Sequence, residues 1–184
     1  MSKIFGKNIA KYLESFGKYV VKQARTNLTK ADKNVSKKLY NSIQYDFVIE
    51  ANGDFNLQFK MDRYGEGVDK GVSGNKKKQS YKDWQGKKQN SPGKGYTTKG
   101  PPIDILSKWI KKRGIKPKGL ATGRSKNTGQ FISGFAFLIS RKIKRDGIKG
   151  ISFFQRPFGL AMQSFPDEFG DELKQDIIDT LNNK

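Results

Sequence analysis

The sequence predicts an α+β fold in which a long N-terminal helix and C-terminal helices pack on a small antiparallel β-sheet. Three observations predict this fold. Apolar residues recur at three- and four-residue steps near the N terminus, two alternating apolar runs follow, and helical spacing returns before the C terminus. The chain has 184 residues, so we expect a single domain over residues 1–184.

The first helix is predicted by a single apolar stripe. Its members are Phe5, Ile9, Leu13, Phe16, Val20 and Ala24. A basic set, which comprises Lys7, Lys11, Lys18, Lys22 and Arg25, lies roughly opposite this stripe on a 3.6-residue helix. The basic set has three interpretations: a solvated surface, a partner-binding surface or a membrane-surface helix.

Two alternating segments, 43–50 and 54–62, predict a β-hairpin. A two-residue loop would place their apolar side chains on opposite faces of the hairpin. A three-residue loop that ends at Gly53 instead pairs Ile49 with Phe55 and places eight apolar side chains on one face. We therefore predict a bulged turn with Gly53 in the left-handed conformation, and helices packed across the apolar face.

The hairpin is followed by a segment of different composition. Residues 70–102 hold nine Lys against the single acidic Asp83, which predicts a long basic loop. Residues 103–149 are predicted to form a helical insertion. A short strand near 151–154 and helical segments on both sides of Pro166 complete the chain.

Composition excludes several classes of function. The formal net charge is +20, which predicts attraction to nucleic acid, anionic lipid or acidic protein. Cys and His are both absent, so disulfides, His-containing catalytic triads and His- or Cys-ligated metals are excluded. The longest apolar stretch, Phe135 to Ile139, is too short to span a bilayer. We expect a soluble, non-enzymatic protein without a cofactor or a membrane partner.

Two segments weakly resemble catalytic motifs. Residues Gly119 to Ser125 have three residues between the glycines and Arg where a phosphate-binding loop needs Lys, so they fit a loop better than a nucleotide site. Asp54, Gln58 and Lys60 weakly resemble the acidic and Lys residues of a metal-dependent nuclease. Because polar residues alternate in any half-buried strand, a nuclease is only a remote alternative.

The basic segments hold the candidate binding residues. Cations alternate there with aromatic side chains, a pattern that neutralises phosphates and stacks bases in single-strand binders. The candidates are Lys76, Lys77, Lys78, Tyr81, Lys82, Trp84, Lys87, Lys88, Arg124 and Lys126. The same composition suits a loop that orders against a neighbouring subunit, or a disordered loop, so three interpretations stay open.

Charge is segregated along the chain. Residues 103–149 carry 13 basic and 2 acidic side chains, whereas residues from 150 onward carry 3 basic and 6 acidic ones. The acidic end of one copy could therefore dock on the basic middle of the next, with Asp171, Glu172 and Asp176 as the subunit contacts.

Three stretches resemble the tail-completion and head-tail joining (neck) family of tailed bacteriophages. They are Ser36 to Ile43, which precedes the first strand; Tyr64 to Gly71, with its acidic residue and glycines; and Arg156 to Ala161, at the start of the final helix. The resemblance covers roughly residues 5–72 and 150–183. Gly159 and Met162 depart from the family pattern of the third stretch.

The resemblance implies a structural virion protein of the neck or tail that is assembled in the bacterial host cytoplasm. It implies a subunit of a homo-oligomeric ring near the DNA channel, in contact with other neck, tail or portal-associated proteins. The surplus Lys and Arg would then lower repulsion around packaged DNA or bind acidic faces of neighbouring rings. The alternative is a sequence-nonspecific nucleic-acid-binding protein.

Overall fold

The computed structural model describes residues 6–50, 55–92, 99–115, 122–124 and 131–182. The elements in chain order are helix α1 (Lys7–Lys30), α2 (Lys38–Ser42), strands β1 (Gln44–Ile49) and β2 (Phe55–Lys60), α3 (Tyr64–Lys70), β3 (Gly71–Ser73), β4 (Ser80–Lys82), β5 (Lys88–Asn90), α4 (Ile103–Lys112), β6 (Thr122–Arg124), β7 (Phe131–Ser133), α5 (Gly134–Asp146), β8 (Gly147–Lys149) and α6 (Gln155–Asn182). The fold is α+β, as predicted.

The chain divides into two compact units. Unit 1 comprises Met1–Gly65, Lys82–Lys87 and Phe153–Lys184, and unit 2 comprises Glu66–Tyr81 and Lys88–Ser152. Unit 1 therefore holds α1, the β1–β2 hairpin and α6, while unit 2 holds most of the predicted basic loop and insertion. The expectation of one domain over residues 1–184 stays a prediction.

The core of unit 1 lies between α1, α6 and the hairpin. The apolar stripe of α1 is buried as predicted, at Ile9, Leu13, Phe16, Val20 and Ala24, while Phe5 lies outside the described residues; Leu28, one turn further on, is buried as well. Phe16 and Val20 form a cluster with Ala161 of α6, and Leu57 and Phe59 of β2 pack against it. The amphipathic period of α1 thus decides which face of the helix meets the hairpin.

The hairpin has the predicted register. Strands β1 and β2 are antiparallel, and Ile49 pairs with Phe55, Phe47 with Leu57 and Tyr45 with Phe59. The pairings of Tyr45 with Phe59 and of Phe47 with Leu57 place these four apolar side chains on one face of the hairpin. The predicted turn, including the left-handed conformation of Gly53, lies outside the described residues.

Arg25 joins α1 to the chain that leads into β1. Its Nε donates to the carbonyl of Tyr40 at 3.0 Å, and its Nη2 donates to the carbonyl of Ile43 at 2.8 Å. The guanidinium also lies 5.2 Å from the centre of the Tyr40 ring. Arg25 therefore has a structural role, whereas Lys7, Lys11, Lys18 and Lys22 of the same basic set are exposed.

The predicted loop over residues 70–102 is wrong in part, because it contains β3, β4 and β5. Strand β3 pairs antiparallel with β8, with Val72 opposite Ile148, and β4 pairs with β5. Each of these strands has three residues, which is too short to show an alternating apolar pattern.

The predicted strand near 151–154 is also wrong, since the strand in this region is β8 at Gly147–Lys149. The backbone amides of Ile151 and Ser152 donate to the carbonyls of Val68 and Asp69 at the end of α3, at 3.1 and 2.9 Å. Ser152 has a φ of 49°, in the left-handed region. These residues satisfy carbonyls at a helix end instead of extending a strand.

Helix α6 runs through Pro166, where the sequence indicated separate helical segments. Proline removes one backbone hydrogen bond of a helix. Aromatic packing on both sides of it offsets this loss: Phe165 and Phe169 stack with 5.4 Å between ring centres, and Phe165 lies 5.1 Å from Phe16 of α1. Tertiary contacts therefore override the local signal.

Candidate functional site

The structure distributes the ten candidate binding residues over separate places. Lys76, Lys77 and Lys78 follow β3 in unit 2 and are exposed. Tyr81, Lys82, Trp84, Lys87 and Lys88 belong to the β4–β5 hairpin. Arg124 lies in β6, although its side chain and Lys126 are outside the described residues. The described candidates therefore belong partly to unit 1 (Lys82, Trp84 and Lys87) and partly to unit 2.

The turn after β3 is held against the C-terminal end of α5. Backbone amides of Asn75 and Lys76 donate to the carbonyls of Lys144 and Arg145 at 2.9 and 3.0 Å. The Gln79 side chain donates to the Asp146 carbonyl at 2.6 Å. Because the last carbonyls of a helix lack partners within it, this turn caps α5 and brings Lys76 to the cationic end of that helix.

A groove in unit 2 results from this arrangement. Its volume is about 610 Å³, and its cations are Lys76, Arg141, Lys142, Lys144 and Arg145. Two apolar side chains, Phe137 and Leu138, also line it and are 45% and 48% exposed. We refer to this feature as the basic groove. It can bind an anionic partner that also offers an apolar anchor.

Two groove cations are held in place by neighbours. The Arg141 guanidinium lies 5.8 Å from the centre of the Phe137 ring. Arg145 makes two hydrogen bonds to Asp146, at 2.8 and 2.9 Å. These bonds, with smaller contributions from Lys142 and Lys77, hold the pKa of Asp146 below its usual value. Asp146 therefore offsets part of the positive charge at this end of the groove.

The hairpin tip, residues 82–87, is organised by Asp83. Its carboxylate accepts from the backbone amides of Gln85 and Lys87, at 3.1 and 2.8 Å. Gly86 has a φ of 81°, which suits glycine in a tight turn. The only acidic residue of the predicted basic loop therefore has a structural role.

Trp84 and Tyr81, the aromatic candidates of this hairpin, have contacts of their own. Trp84 meets Phe158 edge to face, with 6.0 Å between ring centres, and remains 42% exposed. A Cβ on Gly159 would overlap the Trp84 carbonyl, so the hairpin tip packs directly against α6 within unit 1. Lys70 lies 6.0 Å from the centre of the half-buried Tyr81 ring. Both aromatics thus contribute to packing, which the sequence did not reveal.

Asp176 is not an exposed subunit contact, and that prediction is wrong. The residue is 2% exposed, and its carboxylate accepts from the backbone amides of Gly6, Asn8 and Ile9 at 3.0–3.1 Å. These amides lie at the start of α1, where a helix has unsatisfied donors and the positive end of its dipole. Asp176 therefore caps a helix about 170 residues away in sequence.

The other two acidic candidates remain at or near the surface. Asp171 is exposed and pairs with Lys174 at 2.9 Å, and Glu172 is half-buried. Beyond them, three aliphatic side chains at the end of α6 are exposed: Ile177, Ile178 and Leu181. In the sequence, Ile177 and Leu181 continue the four-residue spacing of Phe169 and Leu173, which is typical of a core-facing stripe.

The groove residues of α5 were also missed as a site. In the sequence, the cluster of Arg141, Lys142, Lys144 and Arg145 suits the negative end of a helix dipole, and none of its members is among the ten candidate residues. The sequence nevertheless contains a signal for an exposed apolar surface beside these cations. Phe137 and Leu138 precede the cations by one helical turn, and on a helix they cannot both face the same core as Ile139.

The arrangement required for a nuclease site is not supported in the described part of the chain. Lys60 forms an ion pair with Asp46 on the neighbouring strand, and Asp54 lies outside the described residues. Within residues that the structure describes, no group of three or more His, Cys, Asp or Glu could hold a metal ion.

Comparison of the chain with protein-family models, curated proteins and solved structures finds no match. Among the described helices, none has the length and apolar character needed to cross a membrane.

Proposed function

We propose that the chain is a structural subunit of a tailed-phage neck or tail, acting in head-tail joining or tail completion within a virion assembled in the host cytoplasm. One observation carries this proposal. The first and third stretches that resemble the neck family, together with Gly65 of the second, contribute buried residues to unit 1, whereas Glu66 to Gly71 of the second stretch belong to unit 2. Residues in such positions are constrained by packing, which gives the resemblance a physical basis.

The first stretch forms the joint between α1 and β1. Leu39 and Ile43 are 4% and 0% exposed, and the Ser42 hydroxyl accepts from the Asp62 amide at 3.0 Å. Gly65, from the second stretch, is buried where a Cβ would lie 2.8 Å from side-chain atoms of both Leu39 and Met61. These two stretches therefore meet at one small joint.

The third stretch begins α6. Pro157, Gly159 and Ala161 are buried, and Phe158 packs edge to face on Phe16 of α1, with 6.4 Å between ring centres. Proline suits the first turn of a helix because the missing amide has no intrahelical partner there. The departure from the family pattern at Gly159 has a local reason, since the Trp84 backbone occupies the place of a side chain.

The charge distribution supports a binding role for this subunit. The net charge of +20 exceeds what solubility needs, and five cations line the basic groove of unit 2. We propose that the groove binds acidic surfaces of neighbouring ring or portal-associated proteins close to the DNA channel.

Mass photometry and negative-stain electron microscopy of the purified chain test this function. We expect closed rings of uniform size at physiological salt, which dissociate at high salt as exposed charges are screened. A chain that stays monomeric at every protein and salt concentration would contradict the proposed ring assembly.

A second candidate, sequence-nonspecific nucleic-acid binding, is favoured by the groove cations beside the exposed Phe137. If all five cations contacted phosphates, the logarithm of the DNA affinity would fall with the logarithm of salt with a slope of about −4.5. Fluorescence anisotropy with labelled duplexes of unrelated sequence measures this slope. A shallow slope that Lys142→Ala leaves unchanged would refute phosphate binding by the groove.

A further inference from the structure

The C-terminal part of α6 has an apolar face that is exposed to solvent. Ile177, Ile178 and Leu181 are 43%, 48% and 66% exposed. Positions three and four apart lie on one face of a helix, so these side chains form a continuous patch. Three large exposed aliphatics within two helical turns are typical of a docking surface.

Exposed acidic side chains precede this patch on the same helix. Residues 167–182 contain six acidic side chains and one basic side chain, Lys174. Asp167, Glu168 and Asp171 are exposed, whereas Asp176 is buried as the cap of α1. We refer to residues 167–182 as the acidic tip. It is an amphipathic helix end whose exposed surface combines aliphatic and carboxylate groups.

The basic groove has the complementary chemistry. It offers Phe137 and Leu138 as exposed apolar surface, and Arg141 and Lys142 as exposed cations on the same helix. An apolar contact supplies binding free energy, and opposite charges set its orientation and exclude partners of like charge. DNA would satisfy the cations but would leave the aliphatic Leu138 without a matching partner. The groove therefore fits an acidic amphipathic helix better than a phosphate backbone.

We propose that the acidic tip of one copy docks in the basic groove of a second copy. Ile178 and Leu181 contact Phe137 and Leu138, and the carboxylates of the tip face Arg141 and Lys142. This proposal deepens the proposed function, on whose ring assembly it rests, by naming the partner of the groove. Because tip and groove are different surfaces, each contact leaves one tip and one groove vacant, so repeated contacts generate a ring or a filament.

Two blocked chains test the contact. The groove-blocked chain carries Arg141→Glu and Lys142→Glu, and the tip-blocked chain carries Ile178→Ser and Leu181→Ser. All four positions are exposed, so the substitutions should preserve folding, which circular dichroism checks. A control chain carries Lys22→Glu and Lys33→Glu, which give the same charge change at exposed positions of unit 1. Sedimentation velocity compares self-association of all chains.

We expect each blocked chain to associate at least about tenfold more weakly than the wild type, and the control to assemble normally. An equimolar mixture of the two blocked chains should form a dimer of twice the 20.8 kDa chain mass and stop there, because one intact tip meets one intact groove. Wild-type-like assembly of either blocked chain would overturn the contact. A mixture that stays monomeric would overturn it as well, and would indicate that tip and groove do not meet between copies.

The outcomes separate this contact from the proposed function. Rings that persist in both blocked chains overturn the contact but keep the assembly role. A monomeric wild-type chain contradicts both. If groove blocking abolishes binding of a labelled DNA duplex and leaves self-association intact, the groove is a phosphate-binding site and the contact is wrong.

Discussion

Replacing Asp176 by Ala should destabilise unit 1 strongly, because the carboxylate serves three backbone amides at the start of α1. Loss of a helix N-cap costs about 0.5–2 kcal/mol. A buried donor left without a partner costs about 1–3 kcal/mol, and the carboxylate also interacts favourably with the helix dipole. Since these effects overlap, we expect a loss of about 2–4 kcal/mol in the free energy of unfolding. For a chain of this size, that corresponds to a fall in Tm of about 5–15 °C.

Tryptophan fluorescence can follow this loss within unit 1. Trp84 belongs to unit 1 and Trp109 to unit 2, so a Trp109→Phe background leaves Trp84 as the reporter. Asp176→Asn should fall between the wild type and Asp176→Ala, because its amide retains one acceptor oxygen but loses the charge. Asp171→Ala is the matched control on the same helix, and its transition should not move. An Asp176→Ala chain as stable as this control would refute the capping role.

Three further changes test the contacts that organise unit 1. Gly159→Ala should shift Trp84 fluorescence and lower the free energy of unfolding by about 1–3 kcal/mol, because the added methyl overlaps the Trp84 carbonyl. Gly170 lies on the same helix with open space around it, so Gly170→Ala should be neutral or stabilising. Equal effects of the two substitutions would contradict this packing. Arg25→Lys should lower the free energy of unfolding, measured by urea denaturation, by about 1–3 kcal/mol, since Lys lacks the planar guanidinium that donates to the carbonyls of Tyr40 and Ile43. Unchanged stability would contradict this role of Arg25. Asp83→Ala should speed amide hydrogen exchange at the hairpin tip, whereas Asp83→Asn should retain most protection; equal exchange in both would disprove the turn contact.

Local pattern was sufficient for α1 and for the β1–β2 hairpin. The buried stripe from Ile9 to Ala24 follows from a helical period within one segment, and the pairing of Ile49 with Phe55 follows from the need to place apolar side chains on one face. Both features depend on residues that are close in sequence. The sequence could therefore predict the α+β class and the centre of unit 1.

Features that depend on distant residues could not be predicted in this way. Asp176 has the spacing of an outer helix position, and only the arrival of the α1 N terminus makes it a buried cap. The pairing of β3 with β8 joins strands of three residues that are separated by more than 70 positions in the chain. Long-range pairing of such short segments leaves no periodic signal.

The candidate site was predicted in chemistry but not in position. A strong positive charge and an acidic C-terminal end are visible in composition. The basic groove itself arises because the turn after β3 caps α5 and brings Lys76 beside Arg145, a contact between residues 69 positions apart. The aromatic residue Trp84 was assigned to binding, although its contact with Phe158 gives it a packing role.

Cryo-electron microscopy of tailed-phage particles produced from a genome that encodes this chain tests the central claim most directly. The account predicts density for α1, the hairpin and α6 in a ring between head and tail, with repeated copies around the DNA channel. Complete, infectious particles that lack the chain altogether would contradict the account.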